Sequence, residues 1–144
     1  MLARLLSTRP IQLDVGLLVL RLGVGASMLV FHGWGKIVGG PDKWTGLGGT
    51  MSNLGIDFAP VVWGFLAAFA EFVGSALLAV GFLFRPAAAM LAGTMIVAAM
   101  HHLSMPAGAP GAGWKGASHA LELLAVYVTL LLTGPGRFVP YRGK

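Results

Sequence analysis

Four long apolar runs dominate this sequence, and they leave few architectures open. A helix crossing a ~30 Å hydrocarbon core needs about 20 mainly apolar residues. Residues 14–37, 59–84, 86–105 and 116–133 each meet or approach that length. Of the 144 residues, 56% are hydrophobic and 10% charged, where a soluble domain carries about 25% charge. So few charges cannot clothe a water-facing surface, and the same bias excludes intrinsic disorder. The lack of cysteine excludes disulfides, thiolate metal sites and dithiol exchange by the chain itself. The sequence therefore reads as one all-α domain over 1–144, an integral-membrane antiparallel four-helix bundle.

The breaks between the runs are explicit. Gly39-Gly40-Pro41 ends the first, because two glycines and a proline favour reversal over helix. Ala59-Pro60 opens the second, proline being tolerated in a first helical turn. Arg85-Pro86 predicts a tight hairpin between the second and third spans. Residues 106–113 separate the third and fourth, and Gly134-Pro135-Gly136 begins a tail over 134–144. The segment 39–58 is long for a bundle connection. Within it Trp44, Leu47, Met51 and Leu54 recur at three- and four-residue spacing, which favours a short amphipathic helix; the segment reads either as a surface loop or as an outer lid lying on or dipping into the bundle. Trp44 suits the headgroup zone. A cleaved leader is disfavoured, since Arg21 interrupts the first apolar run before the small residues Val24-Gly25-Ala26.

Charge asymmetry sets the expected orientation. Arg4, Arg9, Arg85, Arg137, Arg142 and Lys144 fall on one side. Lys43 and Lys115, with Lys36 at the margin, fall on the other and are offset by Asp42 and Asp57. Both termini are therefore expected to be cytoplasmic. The net charge of +5 is accounted for by this bias and by anionic lipid, and no nucleic-acid partner is implied.

Ionisable residues inside spans are costly and mark a site or a pairing. Here they are Arg21, His32, Lys36, Glu71, His101, His102, His119 and Glu122. With a rise of ~1.5 Å per residue, His32, Lys36, His101, His102, His119 and Glu122 converge on the outer half of the bundle, with Glu71 beneath them. His32 and Lys36 share one helix face by spacing, as do His119 and Glu122. His101 and His102 are adjacent, so at most one points fully inward. Lys36 has the alternative of snorkelling to the interface, and Arg21 that of pairing with Glu71 to hold it ionised.

His32, Glu71, His101 and Glu122 are the catalytic candidates, and Arg21, Lys36, His119 and Trp44 the ligand-binding ones. No residue is assigned to a metal. A quinone pocket fits this set, with His or Lys donating to a quinone oxygen and a carboxylate relaying protons. Haem held by two histidines, a His/Glu metal site, and a substrate or proton path in a transporter stay open. The Glu-x-x-His pair of di-iron bundles occurs only reversed, as His119-x-x-Glu122. The methionines read as packing. Small residues at Gly23-Val24-Gly25-Ala26, Gly74-Ser75-Ala76 and Ala87-Ala88-Ala89 allow close helix approach.

In combination these residues resemble the DoxX family of small four-helix membrane proteins. The resemblance is carried by Arg21 followed by His32-Gly33-Trp34-Gly35-Lys36, and by Glu71 followed by Gly74 and the stretch Leu77 to Ala88 with its Arg85. His101-His102, Glu122 and the closing Gly134-Pro135-Gly136-Arg137 extend it. Phe138-Val139-Pro140-Tyr141 departs from the usual Tyr-Ser-Leu-Asp ending. The resemblance implies a multi-pass protein of the bacterial inner membrane. It also implies a link to quinone-dependent sulfur oxidation, as in a subunit of thiosulfate:quinone oxidoreductase, or to membrane complexes handling oxidative and thiol stress. By that pattern Arg21, His32, Lys36, Glu71, His101 and Glu122 are the positions of interest. The functional expectation is an oxidoreductase component binding a quinone or similar redox molecule in the outer half of the bundle, in contact with lipid and with a partner subunit or further copies of itself. A non-catalytic anchor or scaffold and a small-molecule or proton transporter are the alternatives.

Overall fold

The computed structural model describes residues 10–141, so Arg4, Arg9, Arg142 and Lys144 of the orientation argument lie outside the described residues. Four helices are long and apolar enough to cross a membrane. They are α1 (Leu13–Ile37), α3 (Pro60–Val80), α4 (Phe84–Ser104) and α5 (Gly113–Thr133). The helix favoured between the first two spans is present as the lid α2 (Gly40–Gly48), prolonged by a 3₁₀ turn over Gly49–Leu54. No strand occurs among the described residues.

Most boundaries follow the sequence signals. Gly40 takes a left-handed φ of 72° that an L side chain rarely adopts, which lets the chain reverse out of α1. Pro60 sits in the first turn of α3. The hairpin between the second and third spans is displaced from the predicted Arg85-Pro86. It is made by residues 81–83, with Gly81 at φ 82° and Leu83 at φ 45°. Gly81 supplies the left-handed cap that ends a helix. Arg85 and Pro86 instead fall in the first turn of α4, where the missing proline N–H leaves no helical bond broken. α5 begins at Gly113, three residues before the expected start.

Small side chains set the packing. Ala87, Ala88 and Leu91 of α4 are fully buried, as are Ala117, Tyr127 and Leu130 of α5 and Leu78 of α3. In α1, Gly25 faces α3 so closely that an added Cβ would lie 2.9 Å from Ala79 Cβ and 2.9 Å from Ser75 O. Bulky apolar residues such as Val19, Phe31, Val62 and Leu132 point outward, as a lipid-facing surface requires.

Two features were not legible in the sequence. First, α1 and α3 each contain a π-helical turn, Met28–Gly33 and Ala70–Gly74, and the two turns pack against each other. A Cβ at Gly33 would stand 2.6 Å from Glu71 O, so glycine is what lets these backbones meet. Second, the C-terminal segment folds back under the bundle. Arg137 Nε lies 3.3 Å from Asp14 Oδ2, and the Arg137 backbone N–H donates to Asp14 Oδ1 at 3.0 Å. Both ends of the described chain thus lie at one end of the bundle.

Candidate functional site

The lid is anchored by backbone contact. A Cβ on Gly48 would fall 1.7 Å from Pro60 O, and one on Gly64 would fall 1.7 Å from Trp44 O. Trp44 Nε1–H donates to the Lys36 carbonyl at 2.9 Å, and its ring meets Phe65 edge-on at 5.0 Å. Trp44 therefore ties the lid to the end of α1. It does not line the cavity below.

That cavity has a volume of about 640 Å³, within the range of small-molecule sites. Its roof is Leu47, Gly48, Thr50 and Met51 from the lid, and its walls are Trp63, Leu66 and Ala67 of α3 with Met90, Gly93 and Val97 of α4. Leu66, Met90 and Gly93 are also exposed on the outside of the bundle, so the cavity opens sideways between α3 and α4. Its polar groups are few: Lys36, Glu71, Thr50, Thr94, His101 and His102.

The chemistry of the site centres on Glu71. It lies in the π turn of α3 with 2% of its side chain exposed. Lys36 Nζ donates to Glu71 Oε1 at 2.6 Å, a short charge-assisted bond between the lid end of α1 and the middle of α3. Glu71 Oε2 is buried with no partner, as are Ser75 Oγ and Tyr127 Oη. An orphaned carboxylate oxygen in an otherwise apolar wall is costly unless a ligand, water or proton meets it. His101 reaches the lid through Asn53, Nδ2 to Nδ1 at 3.4 Å, which is long for a hydrogen bond. His102 Nδ1 is 2.8 Å from Gly111 O and is thereby tied to the loop before α5.

The expected convergence of all the outer polar residues on one site is corrected by the structure. Lys36, Glu71, His101 and His102 share the large cavity. His32 and His119 instead line a separate pocket of about 150 Å³ between α1 and α5, where their rings stack at 5.7 Å. The shared face of His32 and Lys36 fails because a π turn ends at Gly33, between them. Its i→i+5 winding breaks the α-helical register that a four-residue spacing assumes. Glu122 is exposed on α5 and lines neither pocket.

Arg21 also departs from expectation. It is buried, yet it does not pair with Glu71. Its guanidinium donates to the Phe138 carbonyl of the C-terminal segment and presses on Gly81 of the hairpin. The reason is position: Lys36 reaches Glu71 from the lid end, and Arg21 faces the opposite end of the bundle. No cluster of three or more His, Asp or Glu able to hold a metal exists among the described residues.

Residues 16–103 match the family model described as DoxX. The chain belongs to the DoxX family. The matched stretch runs from α1 to the last turn of α4, and so includes the lid and every wall of the large cavity. No curated protein and no solved structure matches the chain. This DoxX protein is a multi-pass membrane protein with four apolar spanning helices.

Proposed function

We propose that this DoxX protein binds a lipid-soluble, quinone-like redox molecule in the cavity beneath the lid, as a component of a membrane oxidoreductase. The observation that carries the reading is a largely apolar cavity, open toward lipid between α3 and α4, with the Lys36–Glu71 pair in its wall. An apolar ligand with a small polar head would be matched along its whole length. A bound quinone supplies two-electron, two-proton chemistry. The chain's residues supply the rest. Lys36 is a cationic donor for an electronegative oxygen. Glu71 Oε2, with no partner of its own, is positioned to accept or return a proton. His101 is a second donor or acceptor near the lid. The apolar walls and the lid hold bulk water away from these groups.

The reading places the protein in a bacterial inner membrane with both termini cytoplasmic. It rests on the family and on Arg85 and Arg137 at the terminal end of the bundle. Labelling of Cys introduced at Thr50 from the periplasmic side alone is the expected result, and labelling from the cytoplasmic side alone overturns the orientation.

The test of function is retention of ligand. Protein purified in mild detergent is expected to carry quinone by mass spectrometry, and an added short-chain quinone should quench the fluorescence of Trp63 in the cavity wall. Glu71→Gln, Lys36→Met and His101→Ala should each weaken that quenching in folded protein. His32→Ala and Glu122→Gln should leave it unchanged, because neither residue touches the cavity. Quenching that is absent in the wild type, or equal in all five variants, refutes the pocket.

A further inference from the structure

Five buried side-chain atoms have no hydrogen-bond partner among the described residues. Two belong to Arg21, at the terminal end of the bundle. The other three are Glu71 Oε2, Ser75 Oγ and Tyr127 Oη. Ser75 and Tyr127 are fully buried. Native interiors leave few polar groups in this condition, so three in one region call for a common partner.

Helix geometry brings the three together. Ser75 follows Glu71 by one turn on the same side of α3. Tyr127 approaches from α5. Both helices run from the lid end to the terminal end of the bundle. Ser75 lies about 7.5 Å before the end of α3 and Tyr127 about 9 Å before the end of α5, which sets them at one level. Helical side chains lean toward the N-terminus of their own helix, and this carries the Tyr127 phenol toward Glu71. The Glu71 charge accordingly acts on Tyr127. The surrounding core is apolar, with Leu78, Leu91 and Leu130 in the same cluster as Tyr127.

Ser75 departs from the other helical hydroxyls. Thr94, Ser104, Thr129 and Thr133 each donate to the carbonyl four residues earlier, the ordinary resort of a hydroxyl in a helix. The carbonyl four residues before Ser75 is that of Glu71. It lies in the π turn, against Gly33 of α1, and Ser75 Oγ makes no bond to it. The hydroxyl is left inside the bundle, one turn below the carboxylate.

We propose that Ser75 and Tyr127 complete the Glu71 site from inside the bundle, holding one internal water against Oε2. A buried water makes about three hydrogen bonds to groups that otherwise lack them, and three such groups meet here. A carboxylate only accepts, whereas both hydroxyls donate and accept. With Glu71 ionised, the water donates to Oε2 and accepts from the Tyr127 hydroxyl. With Glu71 protonated, Oε2–H donates to the water, which turns both of its own protons to the hydroxyls. The network is satisfied in either state. With Glu71 as the proton-exchanging group of the cavity, the reading on which this rests, Ser75 and Tyr127 are positioning residues. Neither lines the cavity. They give the carboxylate an inward face shielded from ligand, while Oε1 stays with Lys36.

Acid-induced infrared difference spectra of the full-length protein in lipid, with no quinone added, test the network. The carboxylic C=O band of Glu71 is identified by its loss in Glu71→Gln. Tyr127→Phe and Ser75→Ala should each move that band to higher frequency, because a carboxyl group that loses a hydrogen bond stiffens. The wild type should also show an O–H band that shifts in heavy-oxygen water and is lost in both variants. Thr129→Val removes a hydroxyl already bonded to Ala125 O and should leave the spectrum unchanged. A Glu71 band that stays in place in both variants, or a wild type with no band sensitive to heavy-oxygen water, overturns the proposal. The measurement needs no ligand. A network found intact in a protein that quinone never quenches refutes the cavity reading alone, and the reverse result refutes the network alone.

Discussion

The Lys36–Glu71 pair makes the strongest energetic claim on the structure, and Lys36→Met tests it. The carboxylate is 2% exposed and its one partner is Lys36 Nζ at 2.6 Å, since Oε2 has none. Removing one member of a buried ion pair costs about 3–5 kcal/mol, because the remaining charge stays buried and uncompensated. Lys36 is 26% exposed, so the pair is partly screened and about 2–3 kcal/mol is the appropriate figure. Glu71→Gln should cost less, about 1 kcal/mol, because Lys36 can turn toward the open cavity and snorkel. The double variant Lys36→Met/Glu71→Gln leaves no buried charge in the cavity wall. It should be about as stable as Glu71→Gln alone, giving a coupling of about 2–3 kcal/mol, equal to the Lys36→Met cost. Reversible unfolding in mixed detergent–SDS micelles, followed by circular dichroism, measures all four proteins. Additive single-variant effects, or a Lys36→Met cost below about 0.5 kcal/mol, would refute the argument that this pair is what makes Glu71 tolerable in the bundle.

The glycine contacts predict a graded series. Gly33→Ala, which drives a Cβ into Glu71 O, should destabilise by about 1–3 kcal/mol, whereas Gly23→Ala, with nothing within 4 Å, should be neutral or slightly stabilising in the same unfolding assay. Gly48→Ala should lift the lid from α3 and raise the labelling rate of a cysteine at Thr50 without unfolding the spans. Arg21→Met should free the C-terminal segment, seen as faster tryptic cleavage after Arg137. Asp14→Asn should change stability by less than about 1 kcal/mol, because the Asp14–Arg137 pair is solvent-exposed.

The sequence determined the spans, since their length and apolarity are set by the membrane and need no tertiary information. Proline and glycine marked most of the ends for local reasons: a missing N–H, or a φ that other residues avoid. The hairpin was misplaced because Gly81 and Arg85-Pro86 are both good breakers, and packing of Phe84 and Ala87 into the core selected the first. The lid helix was legible from its spacing. Its attachment was not, because the glycines that meet across Gly48 and Gly64 carry no periodic signal.

The polar residues of interest were legible as a set, because any ionisable group in a span stands out against hydrocarbon. Their grouping was decided only by the tertiary structure. Depth along a helix follows from counting residues, but direction around it depends on an unbroken 3.6-residue winding. Two π turns break that winding just where the polar residues sit, turning Lys36 toward Glu71 and His32 toward His119. A hydrophobicity pattern cannot reveal such turns, since they are stabilised by the contact of Gly33 with the backbone of Glu71, a residue 38 positions away.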